Sequence, residues 1–417
     1  MGQTSASYRK EIQELDQSIS LSEVISALSF AIELTDGTMR GHAMRSCLLG
    51  LRIADEAGFT AEEKSSLYYA LLLKDIGNEE MIGLRCDRGA SIVSKLGMGR
   101  LAADAVGSLE EHWDGSGYPN RLRGDEIPRL ARLCAIAQHL DMFSIGRNPG
   151  IAIETMKDWS GSWFDPELVA AALELDRRNV LWTNCQATDS HEVTRAAVLD
   201  LDPHSMQLLE DQQIDRICEA FAEIVDAKSP FTFRHSRGVA ELARAIAENL
   251  HLPADRVQLV WRAALLHDLG KLSISNRILD KKTKLTGLEW KIVRQHPGLT
   301  RKILEQIGPF QEIAIVAGEH HEKLDGSGYP NRLRARDLSI ESRIIAVADV
   351  YGALSEDRPY RAGLSYGEAL PILNALAGRK LDQDCIRALL DFLANHRSQE
   401  ISVEIGESDG QLARFCA

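Results

Sequence analysis

The 417-residue chain is too long for one ordinary compact domain and suits two or three. With 44% hydrophobic and 26% charged residues it is neither disordered nor low-complexity, and no apolar run approaches the roughly eighteen residues that a membrane span needs. Lys plus Arg number 48 against 61 Asp plus Glu, so the net charge is −13, which argues against binding a nucleic-acid polymer and leaves any anionic ligand to a local basic cluster. The seven Cys residues include no CxxC pair, so neither a disulfide framework nor a zinc site is expected. With a polar N-terminus and no signal peptide legible, a reducing cytoplasm is the expected home.

Taken in order, the chain reads as helices that repeat. A helix is predicted near 21–34. MRGHAMRS surrounds His42, LLLKDIGN runs over 71–78, and DGSGYPNRLR spans 114–123. ARLCAIAQ (131–138) and FDPELV (164–169) follow. QATDSHEV and DLDPHS break the apolar pattern between 186 and 206. Beyond the break, Ile214, Ile217, Cys218, Phe221 and Val225 fall on one helix face. Val239, Leu242, Ala243, Ile246, Ala247 and Leu250 form another after His235, and a third runs from Val257 into His267. Gly270 is expected to end that helix in the C′ position. Ile344–Val347 could be a strand by its apolar run alone, but helical pattern flanks it and buried helix is the reading taken.

The second half duplicates the first. DGSGYPNRLR recurs at 325–334, an offset of 211, and SRIIAVAD (342–349) matches ARLCAIAQ at the same offset. His235 matches His42 and Asp268 matches Asp75 at an offset of 193, so the second copy carries an extra segment near 271–290. The period is far too long for a solenoid. The expectation is an all-α protein of two tandem helical-bundle copies: residues 1–200, residues 206–400, and a loose tail at 401–417.

Chemistry gathers in the second copy. His235, His267, Asp268, His296, His320, His321 and Asp349 occur there in order. Neutral imidazole and carboxylate are the ligands that borderline divalent metals accept. A carboxylate can give one oxygen to each of two metals, which makes Asp268 the natural bridge. Adjacent helical residues point about 100° apart, so His267 and Asp268 share a site only near a helix end. A lone His on an apolar helix is usually just packed or exposed, and His191, His204, His251 and His396 are read that way.

This second copy resembles the HD-GYP subgroup of the HD superfamily of metal-dependent phosphohydrolases. The likeness covers about 206–396 and rests on HS (235–236), HDLGK (267–271), HP (296–297), HHEKLDGSGYP (320–330), ADVYGAL (348–354) and DRPYR (357–361). It implies a phosphodiesterase opening cyclic di-GMP to linear pGpG and on to GMP, with the hybrid 3′,3′-cGAMP as the alternative substrate. It implies two divalent ions, iron or manganese, one held by His235, His267, Asp268 and Asp349, the other by Asp268, His296, His320 and His321. A hydroxide bridging them would attack phosphorus, with Lys271 holding the phosphate or the hydroxide. Tyr329 and Pro330 would shape a base-stacking loop. Arg358 and Arg361 would fork onto a phosphodiester. A non-hydrolysing receptor is the alternative from another class, and the intact ligand series disfavours it.

Two departures stand out. Gly352 replaces an Asp common in the family, and Phe231 stands where three-metal members have Glu; both favour two metals. In the first copy His42 and Asp75 survive, but Lys74, Arg85, Leu109, Glu110 and Gln138 stand at the other ligand positions. That copy is expected to be a scaffold, with nucleotide sensing through Tyr118 as the competing role. Homodimerisation is expected from the helices near 21–34 and 206–228, which could equally pack inside the chain.

Overall fold

Val239, Ala243, Ile246 and Ala247 are buried along one side of a single helix, as their spacing requires. The same pattern builds the rest of the computed structural model, which describes residues 19–36, 41–77, 82–145, 148–185, 190–202, 209–228, 235–356 and 362–395. Among these residues there is no β-strand, only isolated bridges such as Asp325 with Arg334. The run Ile344–Val347 lies inside a helix and is buried. No helix here is long and apolar enough to cross a membrane.

The chain divides into two compact units, Met1–Ala220 with Glu305–Phe310, and Phe221–Leu304 with Gln311–Ala417. In the first unit the helices are α1 Leu21–Asp36, α2 His42–Glu56, α3 Ala61–Leu73, α4 Ile82–Lys95, α5 Arg100–Gly107, α6 Arg129–Ser144, α7 Pro149–Asp158, α8 Pro166–Arg177 and α9 His191–Leu199. The division falls inside α10 Asp211–Asp226. The second unit continues with α11 His235–Asn249, α12 Ala254–Leu266, α13 Asn276–Leu279, α14 Gly287–Val293, α15 His296–Leu304, α16 Gln311–Gly318, α17 Ile340–Ser355 and α18 Tyr366–Leu376.

Helix starts follow local chemistry. Thr60 and Glu63 form a capping box at α3, Asp165 with Pro166 opens α8, and Ser339 caps α17. The helix that bears the first histidine of each copy is seated by a buried acid from the preceding helix. Glu33 accepts the N–H groups of Gly41 at 2.7 Å and Ala43 at 2.8 Å. Its counterpart Asp226 accepts from Ser236 N–H at 3.0 Å and from its hydroxyl at 2.6 Å. Helix α11 packs against α12 and α17, and α15 packs against α16 and the turn that follows α12. Those are the elements that carry the histidines.

Gly270 corrects the expectation for the end of α12. The helix stops at Leu266, and Leu269–Ser273 form a tight 3₁₀ turn. Gly270 lies inside that turn rather than at a left-handed C′ position. A Cβ there would stand 2.1 Å from the carbonyl oxygen of His296, so glycine is required by the close approach of α15.

Candidate metal centre

His267 is the first residue after α12 and caps its C-terminal end. A helix end leaves carbonyls without partners. The His267 Nδ1 lies 2.6 Å from the Ala264 carbonyl, three residues back. His296 does the same with Val293 at 2.7 Å, after α14, and His320 with Ala317 at 2.7 Å, after α16. A carbonyl only accepts, so each Nδ1 carries the proton. Each Nε2 is the nitrogen left to face away from its helix, toward the centre.

Those nitrogens converge. His267 Nε2 lies 3.3 Å from Asp268 Oδ2, and His235 Nε2 lies 3.7 Å from the same oxygen. The other oxygen, Asp268 Oδ1, lies 3.2 Å from His296 Nε2 and 3.9 Å from His320 Nε2. Asp349 spans in a similar manner, with Oδ1 3.5 Å from His235 Nε2 and Oδ2 3.3 Å from His321 Nδ1. Two groups emerge, His235 with His267 and Asp268, and His296 with His320 and His321, each with ligand atoms within 4.8 Å of one another.

Burial makes this arrangement costly without a cation. Asp268 Oδ1 and His267 Nε2 are both buried and have no hydrogen-bond partner. Carboxylate oxygen and imidazole nitrogen donors in this number fit a pair of borderline divalent ions. The two carboxylates and two of the histidines are held in the ligating form. Burial opposes ionisation of Asp268, but His267 and Lys271 outweigh it and hold its carboxyl well below the usual range. Burial is likewise overcome at Asp349, by the hydrogen bond to His235 and by the neighbouring His321. Burial pushes His321 down to about 3, and it lowers His320 strongly with help from His321 and His267. His235 goes the other way: burial would lower it, yet hydrogen bonds to Asp349 and Glu356 raise it to about 9.

Lys271 sits on the 3₁₀ turn, its Nζ 2.5 Å from Asp268 Oδ2. The loop over 325–334 is held by Glu322, a buried acid that sequence reasoning passed over. Its carboxylate accepts the N–H of Asn331 at 2.6 Å and of Leu333 at 3.0 Å. Gly328 runs so close beneath that a Cβ would meet Glu322 Cα at 2.5 Å. Tyr329, joined to Pro330 by a cis peptide bond, lies with its ring centroid 4.8 Å from that of His321. The Arg294 guanidinium sits 4.6 Å from the Tyr329 ring centroid, a cation at the site that no sequence signal marked. Glu356 was missed as well; its Oε2 lies 2.8 Å from His235 Nδ1. Only a contact across 121 residues reveals it. Arg358 and Arg361 lie outside the described residues, as does Phe231.

At the matching place the first unit holds ion pairs. Lys74 binds Asp75, Arg85 binds Glu110 at 2.5 Å, and His42 Nδ1 lies 2.6 Å from Asp141. Gln138, at the position of Asp349, is buried. The first-unit loop keeps the same tether, with Glu111 accepting from Asn120 at 2.6 Å and Leu122 at 2.9 Å, and leaves Tyr118 exposed.

A helical core with histidines and aspartates gathered at helix ends is the design of the HD domain, and the HD domain family matches residues 27–168 and 219–385. The chain belongs to that family, through both of its copies. Among its relatives, the 3′,3′-cGAMP-specific phosphodiesterase 3 of Vibrio cholerae serotype O1 is 34% identical, over 88% of this chain and 94% of the relative. The 3′,3′-cGAMP-specific phosphodiesterase 1 of the same organism is 34% identical, over 79% of this chain and 77% of its own. The cyclic di-GMP phosphodiesterase response regulator RpfG of Xanthomonas campestris is 35% identical, over 45% of this chain and 50% of its own. The crystal structure of a cyclic GMP-AMP-specific phosphodiesterase of V. cholerae superposes with a TM-score of 0.67 at 32% identity, covering 90% of this chain and 98% of that one. The HD-GYP resemblance read from the motifs stands with these relatives.

Proposed function

We propose that the second unit is a metal-dependent phosphodiesterase that hydrolyses a cyclic dinucleotide. The observation that carries this is the division of the Asp268 carboxylate, with one oxygen turned to His267 and the other to His296. His235, His267, Asp268 and Asp349 would hold one divalent ion, iron or manganese. Asp268, His296, His320 and His321 would hold the other. Such a pair, when bound, activates a water and steadies the attacking and leaving oxygens of a phosphoryl displacement.

The chain's own residues do the rest. The carbonyls of Ala264, Val293 and Ala317 keep three imidazoles pointed at the centre. Lys271 brings a positive charge beside Asp268, in reach of a phosphodiester laid over it. Arg294 over Tyr329 adds a second cation at the loop where a base would stack. Arg358 and Arg361 would complete the phosphate contacts.

Both cyclic di-GMP and 3′,3′-cGAMP suit this centre. Two relatives named for 3′,3′-cGAMP align over 88% and 79% of this chain, while a third so named covers 41% and the cyclic di-GMP relative above 45%, so the two substrates fit equally. Product formation from the two dinucleotides side by side, with metal content assayed in the same sample, is the test. Linear product with about two metals per chain supports the reading, and wild-type protein that binds two metals and dinucleotide without turnover would favour a receptor instead.

The first unit, with ion pairs at its former metal positions, is proposed as a scaffold. One dinucleotide bound per chain agrees with that role, and two would make it a sensor. A cytoplasmic setting and a homodimer belong to the same proposal.

A further inference from the structure

The two copies hold their first histidine with different carboxylates. In the first unit, His42 Nδ1 lies 2.6 Å from Asp141 Oδ2. Arg45 grips the same carboxylate, Nε at 2.6 Å from Oδ1 and Nη2 at 3.1 Å from Oδ2. At the repeat offsets of 193 and 211, Arg45 corresponds to Gly238 and Asp141 to Gly352. Both members of that buried ion pair are therefore glycine in the second unit.

His235 still has a carboxylate on its Nδ1. It is Glu356, at 2.8 Å, one helical turn beyond Gly352. The position that matches Glu356 in the first copy is Ile145. The space agrees. A Cβ on Gly352 would stand 3.8 Å from His235 Nδ1, and one on Gly238 would stand 3.9 Å from Glu356 Oε1. A carboxylate one turn further along needs the longer Glu side chain to reach back, and the two glycines leave room for it.

We infer that Glu356 is the positioning residue of His235, taking over the role that Asp141 performs for His42, so that three exchanged positions (45/238, 141/352 and 145/356) act as one unit. The inference rests on the proposed metal centre. Glu356 accepts the Nδ1–H of His235, which turns Nε2 toward Asp268 and Asp349 as the atom left to ligate a metal. Partners of this kind hold a ligating imidazole in place and strengthen it as a donor; their loss typically weakens metal binding about 10–100-fold.

The test measures Mn²⁺ affinity of the full chain by chelator competition, with thermal unfolding as the check on folding. Glu356→Ala should weaken one of the two Mn²⁺ sites about 10–100-fold. Glu356→Asp keeps the charge but falls a methylene short, and should lose as much. Glu356→Ala combined with Gly352→Asp should return affinity to near the wild-type value. The Asp would have to displace Val239 slightly, since a Cβ at 352 meets its Cγ2 at 3.1 Å. Unchanged Mn²⁺ affinity in Glu356→Ala or Glu356→Asp overturns the inference. So does a folded double variant that stays as weak as Glu356→Ala. Wild-type chain that binds neither Mn²⁺ nor Fe²⁺ overturns the metal centre itself, a result that the wild-type titration identifies before any variant is compared.

Discussion

His296 Nε2 lies 3.2 Å from Asp268 Oδ1, on the side of the carboxylate opposite to the one that His267 approaches. A single oxygen acceptor could not serve both groups. Asp268→Asn keeps the shape but replaces one oxygen with an amide nitrogen that cannot ligate. It should therefore cost more than about 100-fold in metal affinity, beyond the usual loss for an outer partner, and should abolish turnover while leaving dinucleotide binding measurable. Metal analysis and single-turnover assays check this together.

Metal should reside in the second unit alone. Lys74 is buried against Asp75, and an ammonium already occupies the charge of that carboxylate. Removing His267 and Asp268 together should lower bound manganese from about two per chain to nearly none. A remaining metal in that variant would place ligands in the first unit.

Loading should depend on pH with a definite sign. His235, raised to about 9 in the metal-free chain, and His267, raised against the effect of burial by Asp268 and Asp349, hold protons that a metal must expel. Metal affinity should thus climb as pH rises toward 9, by up to about tenfold per unit for each proton released. His320 and His321, both lowered, are already neutral near pH 7 and release nothing. For folding the same shift gives the opposite trend. The stability that His235 adds to the metal-free chain is complete below its ordinary value of 6.5 and is lost as pH rises through about 9. Chelator competition and denaturant unfolding at pH 6.5, 7.5 and 8.5 should diverge in this way.

Thr300 links two segments of the proposed metal centre. Fully buried, it donates to the His267 carbonyl at 2.9 Å and accepts the Gly270 N–H at 2.9 Å. Thr300→Val keeps the volume but strands both backbone groups. A loss of about 1–3 kcal/mol in unfolding free energy is expected, because buried polar groups left unpaired carry their desolvation cost.

Glu322 should govern the loop without touching the metals. Its two bonds, to Asn331 and Leu333, are charge-assisted and together hold the turn that presents Tyr329. Glu322→Gln should speed amide exchange at both residues and raise KM more than it lowers kcat. Glu111→Gln, the matching change in the first unit, should loosen residues 120 and 122 and leave turnover as it was.

Helix content and the duplication were legible because they are one-dimensional. Periodicity along Val239–Ala247 and a ten-residue string repeated at an offset of 211 need no third dimension. The ligand series was legible for a related reason, since imidazole and carboxylate declare their chemistry wherever they stand. Gly270 was read as punctuation because local rules give glycine that role, whereas the residue that demands it, His296, comes from another helix. The tethers Glu322 and Glu356 look in sequence like ordinary surface acids. What makes them partners is approach, across 9 residues for the buried Glu322 to Asn331 and across 121 for Glu356 to His235. Side-chain type sets what a residue can bind, and the sequence supplies that directly. Which oxygen faces which nitrogen depends on where helices end and how they pack, and only the folded chain decides it.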